Sequence, residues 1–173
     1  KTISEAVEMP CIIYNVPSRS GINILPETQL QLAGDCEHIV ATKEASGDLE
    51  QIMKITKYAP KGFLVYSGDD ALTLPIMAVG GSGVISVISN YMPKEFGDSV
   101  KYALKGKWDK AKKAHFDLME IMSLNFIETN PVPVKAALSL MGMMEPHLRM
   151  PLVPMREENK EILANAMKKM KII

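Results

Sequence analysis

Lys43 is the residue of this sequence that is best placed to act as a nucleophile. It follows the apolar run 39–42, which has the β-branched composition of a buried strand. In parallel α/β proteins the active site lies at the carboxyl ends of the strands. Desolvation there disfavours an ammonium, and the free amine can attack a carbonyl group. We therefore predict Schiff-base formation at Lys43; the alternatives are that it reaches solvent or pairs with a carboxylate such as Glu44.

Two further candidates lie near the end of the apolar run 11–16 and just after it. Tyr14 lies near the end of this run, where its phenol can act as a general acid or base. Arg19 lies five residues later, in a turn rich in proline, serine and glycine, and can hold a carboxylate through two parallel hydrogen bonds. Packing at a strand end and simple solvation in a loop are the alternative roles of these two residues.

The remaining polar positions have structural explanations. Asp69 and Asp70 follow the run 63–66 and are interpreted as a turn and a helix N-cap. The glycine-rich stretch 80–83 precedes a strand, so it belongs to the opposite end of the sheet. The three histidines lack metal-like spacing, and we expect no metal site. The two cysteines form no disulfide framework, which favours a reducing, cytoplasmic compartment.

Apolar runs and helical patterns alternate in the first part of the chain. The strands are predicted at 11–16, 39–42, 63–66 and 83–89, with helices over 1–7, over 26–33 stopped by Gly34, from a cap at Asp48 to Pro60, and after Asp70. This alternation predicts right-handed β-α-β units and a parallel sheet. Only helices are predicted beyond Lys94, over 94–105, 107–127, 131–143 and 156–171.

Composition narrows the classes of function. The chain has 173 residues, 47% of them apolar, and its 20 basic residues equal its 20 acidic ones. Because the basic residues are dispersed, we expect no nucleic-acid surface, and no apolar run is long enough to cross a membrane. The composition leaves two classes of function, an enzyme that acts on small molecules or a scaffold.

Five segments, in their order and spacing, give the chain a family resemblance: 14–21 (YNVPSRSG), 43–47 (KEASG), 67–70 (SGDD), 83–87 (GVISV) and 130–135 (NPVPVK). It resembles the dihydrodipicolinate synthases (4-hydroxy-tetrahydrodipicolinate synthases), pyruvate-dependent class I aldolases with the TIM-barrel fold. The resemblance covers the whole chain and implies the second half of a (β/α)8 barrel, strands five to eight, at 1–106, with a C-terminal helical domain at 107–173.

The resemblance also implies roles for single residues. Lys43 corresponds to the lysine that forms an imine with pyruvate, and Tyr14 to the tyrosine that transfers protons. Arg19 corresponds to the arginine that holds the carboxylate of aspartate semialdehyde. Gly68 and Ile85 correspond to positions whose backbone carbonyls lie near the Schiff base. The implied reaction yields 4-hydroxy-tetrahydrodipicolinate for lysine biosynthesis and requires neither a metal nor an organic cofactor. The segment 130–135 is expected to serve only as a helix cap, through Asn130.

Several family features are absent from this sequence. The paired threonine motif, the second tyrosine donated by a neighbouring subunit and most of the lysine-feedback site belong to the first half of the barrel. The resemblance therefore implies a partial enzyme that requires the missing N-terminal half-barrel or another copy, in a family of homo-oligomers, tetramers or dimers. N-acetylneuraminate lyase and other 2-keto-acid aldolases are the alternatives, although Arg19 and the segment 43–47 favour the synthase. A non-catalytic half-barrel assembly module is the alternative from another class.

Overall fold

The computed structural model describes all residues from Lys1 to Ile173, which form two compact units, Lys1–Ser86 and Val87–Ile173. The first unit contains a parallel four-stranded sheet in the order β1-β2-β3-β4, so β1 and β4 are its edges. This arrangement confirms the predicted α/β class. The strands are β1 (Cys11–Asn15), β2 (Ile39–Glu44), β3 (Leu64–Ser67) and β4 (Gly83–Val84).

Helices connect the strands of the first unit. The predicted cap of the fourth helix is confirmed, because Asp48 accepts a hydrogen bond from the backbone N–H of Gln51 at 3.0 Å. The predicted stop at Gly34 is wrong: the third helix continues to Asp35, because glycine is tolerated in a last turn that retains its backbone hydrogen bonds. The helices are α1 (Thr2–Ala6), α2 (Pro17–Ser20), α3 (Pro26–Asp35), α4 (Leu49–Tyr58) and α5 (Thr73–Ala78).

The two faces of the sheet differ in their surroundings. Val65 of β3 is buried in a core cluster with Ile52 and Ile55 of α4 and Ile76 of α5. Because side chains alternate along a strand, the residues next to Val65 and those paired with them project from the other face. We call this second surface the open face, since four of its side chains are more than one third exposed. The open face comprises Ile12, Tyr14, Lys43, Leu64, Tyr66 and Ile85.

The second unit is helical. A short 3-10 turn (Ile88–Asn90) precedes the helices, and the largest fully buried side chains include Phe96, Ile121 and Leu163. None of the ten helices in the chain is both long enough and apolar enough to span a membrane. The helices of this unit are α6 (Pro93–Leu104), α7 (Trp108–Phe116), α8 (Met119–Leu124), α9 (Val132–Leu140) and α10 (Glu157–Lys169).

Other sequence expectations also differ from the structure. The fourth strand ends at Val84 instead of 89, because the chain turns into the 3-10 segment after pairing only two residues with β3. The helix predicted over 107–127 is broken between α7 and α8, where the N–H of Leu118 bonds to the carbonyl of His115 in a tighter turn. Asn130 does not cap α9; Pro131 occupies the cap position, and no side chain bonds to the helix end.

Candidate active site on the open face

The register of the sheet brings the predicted lysine and tyrosine together. Tyr14 pairs with Lys43, and Lys43 pairs with Tyr66, so the three side chains lie side by side on the open face. The ammonium nitrogen Nζ of Lys43 lies 4.0 Å from the centroid of the Tyr14 ring. At this distance the ring face attracts the ammonium and holds the end of the lysine side chain beside the phenol.

Lys43 forms no ion pair with a carboxylate. Its side chain is half-buried, and no Asp or Glu oxygen lies within salt-bridge distance of its Nζ. The pairing with Glu44 considered above is not formed, because consecutive residues of β2 project from opposite faces. The amine at this strand end is therefore available to a carbonyl compound.

The loop after β3 approaches the lysine so closely that it requires a glycine. The N–H of Gly68 donates to the carbonyl of Glu44 at 2.7 Å, which ties the loop to the end of β2. A Cβ atom at Gly68 would lie 2.7 Å from Cβ of Ala45 and 3.2 Å from Cε of Lys43. Both distances are shorter than ordinary van der Waals contact, so only glycine leaves the lysine stem in place.

Ile85 directly follows β4, and Arg19 follows β1. The N–H of Ile85 donates to the carbonyl of Ser67 at 2.9 Å, which extends the pairing of β3 and β4 by one residue. Arg19 lies in α2, in the connection that follows β1, and its side chain is exposed. The Arg19 guanidinium makes neither a hydrogen bond nor an ion pair within the chain, so its donors are free for an anionic ligand.

The sequence reasoning missed a set of polar side chains on the helix-covered face, which is the side of the sheet that packs against α4 and α5. Asn15, Thr42 and Glu44 are each at most 1% exposed and lie at strand positions where apolar residues are expected. Glu44 is surrounded by amide groups of neighbouring residues. The sequence signal that could have revealed this set is the presence of polar residues at buried positions of two neighbouring strands. No group of three or more His, Cys, Asp or Glu residues in the chain is arranged to hold a metal ion.

Comparison with known proteins identifies the family to which this chain belongs. The family model described as "Dihydrodipicolinate synthetase family" matches residues 1–170. The chain belongs to the dihydrodipicolinate synthetase family. This membership confirms the resemblance derived from the five sequence segments.

The relatives are longer than this chain. The 4-hydroxy-tetrahydrodipicolinate synthase of Koribacter versatilis is 51% identical over 92% of this chain and 53% of its own length. The crystal structure of dihydrodipicolinate synthase from Thermotoga maritima is 41% identical, with a TM-score of 0.97 over 100% of this chain and 60% of that one. A chloride-inhibited dihydrodipicolinate synthase from Acinetobacter baumannii, complexed with pyruvate, is 37% identical, with a TM-score of 0.94 over 99% of this chain and 59% of that one. The chain thus spans between one half and two thirds of the length of these proteins.

The contact at Gly68 leads to a prediction about the reactivity of the Lys43 amine. Gly68→Ala is expected to slow the attachment of a small carbonyl compound to Lys43, measured by mass spectrometry after borohydride reduction, by about tenfold, because a small displacement of a reacting group has a large effect on rate. Gly97→Ala is the matched control, since a Cβ at that helical glycine meets nothing within 4 Å. Equal rates in the two variants would contradict the steric role of Gly68.

Proposed function

We propose that this chain carries the imine-forming lysine of a lyase that condenses pyruvate with aspartate semialdehyde to give 4-hydroxy-tetrahydrodipicolinate. The observation that carries the proposal is the position of Lys43: its amine lies on the open face beside the Tyr14 phenol, with no carboxylate paired to it. Family membership and the pyruvate bound by the relative from Acinetobacter baumannii support the choice of reaction.

The proposed reaction uses the Lys43 amine as its nucleophile and the imine formed on it as the electron sink. The amine attacks the carbonyl carbon of pyruvate, and loss of water leaves a protonated imine. The imine withdraws electrons, so a methyl proton leaves and an enamine forms; the enamine carbon then attacks the aldehyde carbon of aspartate semialdehyde. Attack of that substrate's own amino group on the imine carbon closes the ring and releases the lysine. We expect this chemistry to need neither a metal nor an organic cofactor.

Four further residues have proposed roles around this lysine. The Tyr14 phenol transfers protons to and from the bound intermediates, a role supported by the contact of its ring with the end of the Lys43 side chain. Arg19 binds the carboxylate of aspartate semialdehyde through its free donors. The backbone carbonyls of Gly68 and Ile85 lie near the Schiff base, a role supported by the close approach of Gly68 to the lysine stem.

The sheet is proposed to be the second half of a TIM barrel. In this assignment β1 to β4 are strands five to eight, residues 1–106 form the half-barrel, and residues 107–173 form a C-terminal helical domain. Two features support a missing complement, either the N-terminal half-barrel or a second copy of the chain. The outer edge of β1 has no neighbouring strand, and Ile12 and Tyr14 are 47% and 49% exposed on the open face. Parallel sheets are ordinarily covered on both faces, which an added partner would achieve.

Trapping with pyruvate tests the imine. Pyruvate and borohydride are expected to add one reduced pyruvate to Lys43, seen by mass spectrometry as pyruvate minus water plus two hydrogens. Lys43→Ala is expected to abolish this adduct, whereas Lys61→Ala, which removes an exposed lysine before β3, leaves it intact. A folded protein that forms no adduct would favour the non-catalytic half-barrel module.

The choice of second substrate is tested at Arg19. In the assembled enzyme, Arg19→Ala is expected to raise KM for aspartate semialdehyde by about tenfold, because a hydrogen bond to a charged group contributes roughly 1.5–3 kcal/mol. The pyruvate adduct at Lys43 should form as before. Arg149→Ala is the matched control for loss of an exposed arginine. Equal losses of aldehyde use and pyruvate trapping in Arg19→Ala would contradict the assigned role.

The missing complement is tested by light scattering after size-exclusion chromatography. The 173-residue chain is expected to elute with a second polypeptide or as an oligomer, because the open face and the β1 edge are apolar and unpaired. Ile12→Glu, on that face, is expected to dissociate the assembly, whereas Leu104→Glu, at an exposed position of α6, should not. A well-folded monomer of the unmodified chain, without a second polypeptide, would contradict this part of the proposal.

A further inference from the structure

The proposed reaction does not use Glu44, although this residue directly follows the imine lysine. Its side chain is 0% exposed and lies on the helix-covered face of the sheet. No Lys, Arg or His nitrogen is within salt-bridge distance of its carboxylate. A buried carboxylate without a cation is costly unless hydrogen-bond donors surround it, so the donors around Glu44 indicate what it holds in place.

Four neutral side chains from different parts of the first unit donate to Glu44. Asn15 of β1 and Gln29 of α3 donate to Oε1 at 2.6 and 2.8 Å, and Ser46 donates to Oε2 at 2.5 Å. Gln51 of α4 reaches both oxygens, at 3.3 and 3.4 Å. Hydrogen bonds to an ionised acceptor are stronger than those between neutral groups, so this one carboxylate joins two strands and two helices.

Asn15 passes this constraint on to the segment that carries Arg19. Its Oδ1 accepts a hydrogen bond from the backbone N–H of Ile24 at 3.0 Å, and its Nδ2 donates to Oδ1 of Asn23 at 2.8 Å. The chain therefore leaves β1 at Asn15, passes through α2 and returns to the same side chain. Residues 16–23 form a closed loop whose base is fixed by Asn15, and Asn15 is fixed by Glu44.

The position of Arg19 depends on this base, because the Arg19 side chain makes no hydrogen bond or ion pair of its own within the chain. The loop is stabilised locally by Ser20, whose hydroxyl lies 3.1 Å from the carbonyl of Val16 and 2.9 Å from that of Ile22. These contacts shape the loop but do not attach it to the sheet. The attachment is made by Asn15 and by Asn23, whose Nδ2 also donates to Oε1 of Gln51 at 2.9 Å.

We propose that Glu44 is a positioning residue for Arg19: through Asn15 and Asn23 it fixes the loop that presents the guanidinium to the carboxylate of the second substrate. The inference rests on the proposed function for the identity of that substrate. A carboxylate is well matched to position 44 because all four of its side-chain partners donate to it. A neutral amide there would place its own N–H groups against one of them and leave that donor unpaired.

Glu44→Gln tests this positioning role in the assembled enzyme. It is expected to raise KM for aspartate semialdehyde by about tenfold while pyruvate trapping at Lys43 is unchanged, since a small displacement of a binding group weakens the interaction it makes. Amide hydrogen exchange should become faster in residues 16–24. Glu50→Gln is the matched control, because this glutamate of α4 is exposed and paired only with Lys54.

Transferring the carboxylate from position 44 to position 15 provides a rescue experiment. Asn15→Asp alone places two carboxylates together and should raise the same KM. Combined with Glu44→Gln, it restores one carboxylate and one amide in exchanged positions, so the double variant should recover much of the lost KM. Recovery of this kind measures a direct coupling between the two side chains. Additive losses in the double variant would contradict the proposed connection.

The remaining outcomes are also decisive. If Glu44→Gln reduces pyruvate trapping as much as aldehyde use, Glu44 supports the strand ends in general and the proposal is wrong. The proposal is also wrong if the variant changes neither KM for aspartate semialdehyde nor hydrogen exchange in residues 16–24. If Glu44→Gln does not fold, Asn23→Ala removes one attachment of the loop and should show the same KM change and faster exchange. If the unmodified protein traps no pyruvate, the proposed function fails, whereas the exchange measurement still tests the attachment of the loop.

Discussion

Lys43 and Glu44 leave β2 in opposite directions, and the organisation of the first unit depends on this alternation. The amine emerges on the open face beside the Tyr14 ring, 4.0 Å from its centroid. The carboxylate enters the layer between sheet and helices, where it accepts hydrogen bonds from Asn15, Gln29, Ser46 and Gln51. Two charged groups that could have neutralised each other are kept apart by the geometry of an extended backbone. Each can therefore make a separate set of contacts.

The sequence allowed the sheet and the strand ends that carry Lys43 and Tyr14 to be predicted, because these follow from local patterns. Continuous β-branched runs separated by helical periodicity require a parallel sheet, and its strand ends located Lys43 and Tyr14. The cap at Asp48 was also readable, since it depends on residues three positions apart. The break between α7 and α8 was not, because Trp108 to Met122 keeps its helical spacing and only local backbone geometry interrupts it.

The Glu44 contacts were beyond sequence reasoning for a different reason. Apart from the contact with Ser46, they join residues 7 to 29 positions apart, and a single sequence does not show which polar residues meet after folding. Gln51 illustrates the difficulty. A glutamine three residues after an aspartate N-cap is typical of a capping box, and its backbone N–H does bond to Asp48, but its side chain turns to Glu44 and Asn23 instead. The local pattern was correct for the backbone and incomplete for the side chain.

The neutral partners of Glu44 have a consequence for the response of the protein to salt. Ion pairs on the surface, such as Lys94 with Asp98 at 3.0 Å, are exposed to mobile ions, which screen them increasingly as ionic strength rises. The Glu44 carboxylate is enclosed and bonded to amide and hydroxyl dipoles, where dissolved ions do not enter. Strong salt therefore weakens the electrostatic contacts of the helix surfaces while it leaves the strand ends of the first unit in their arrangement.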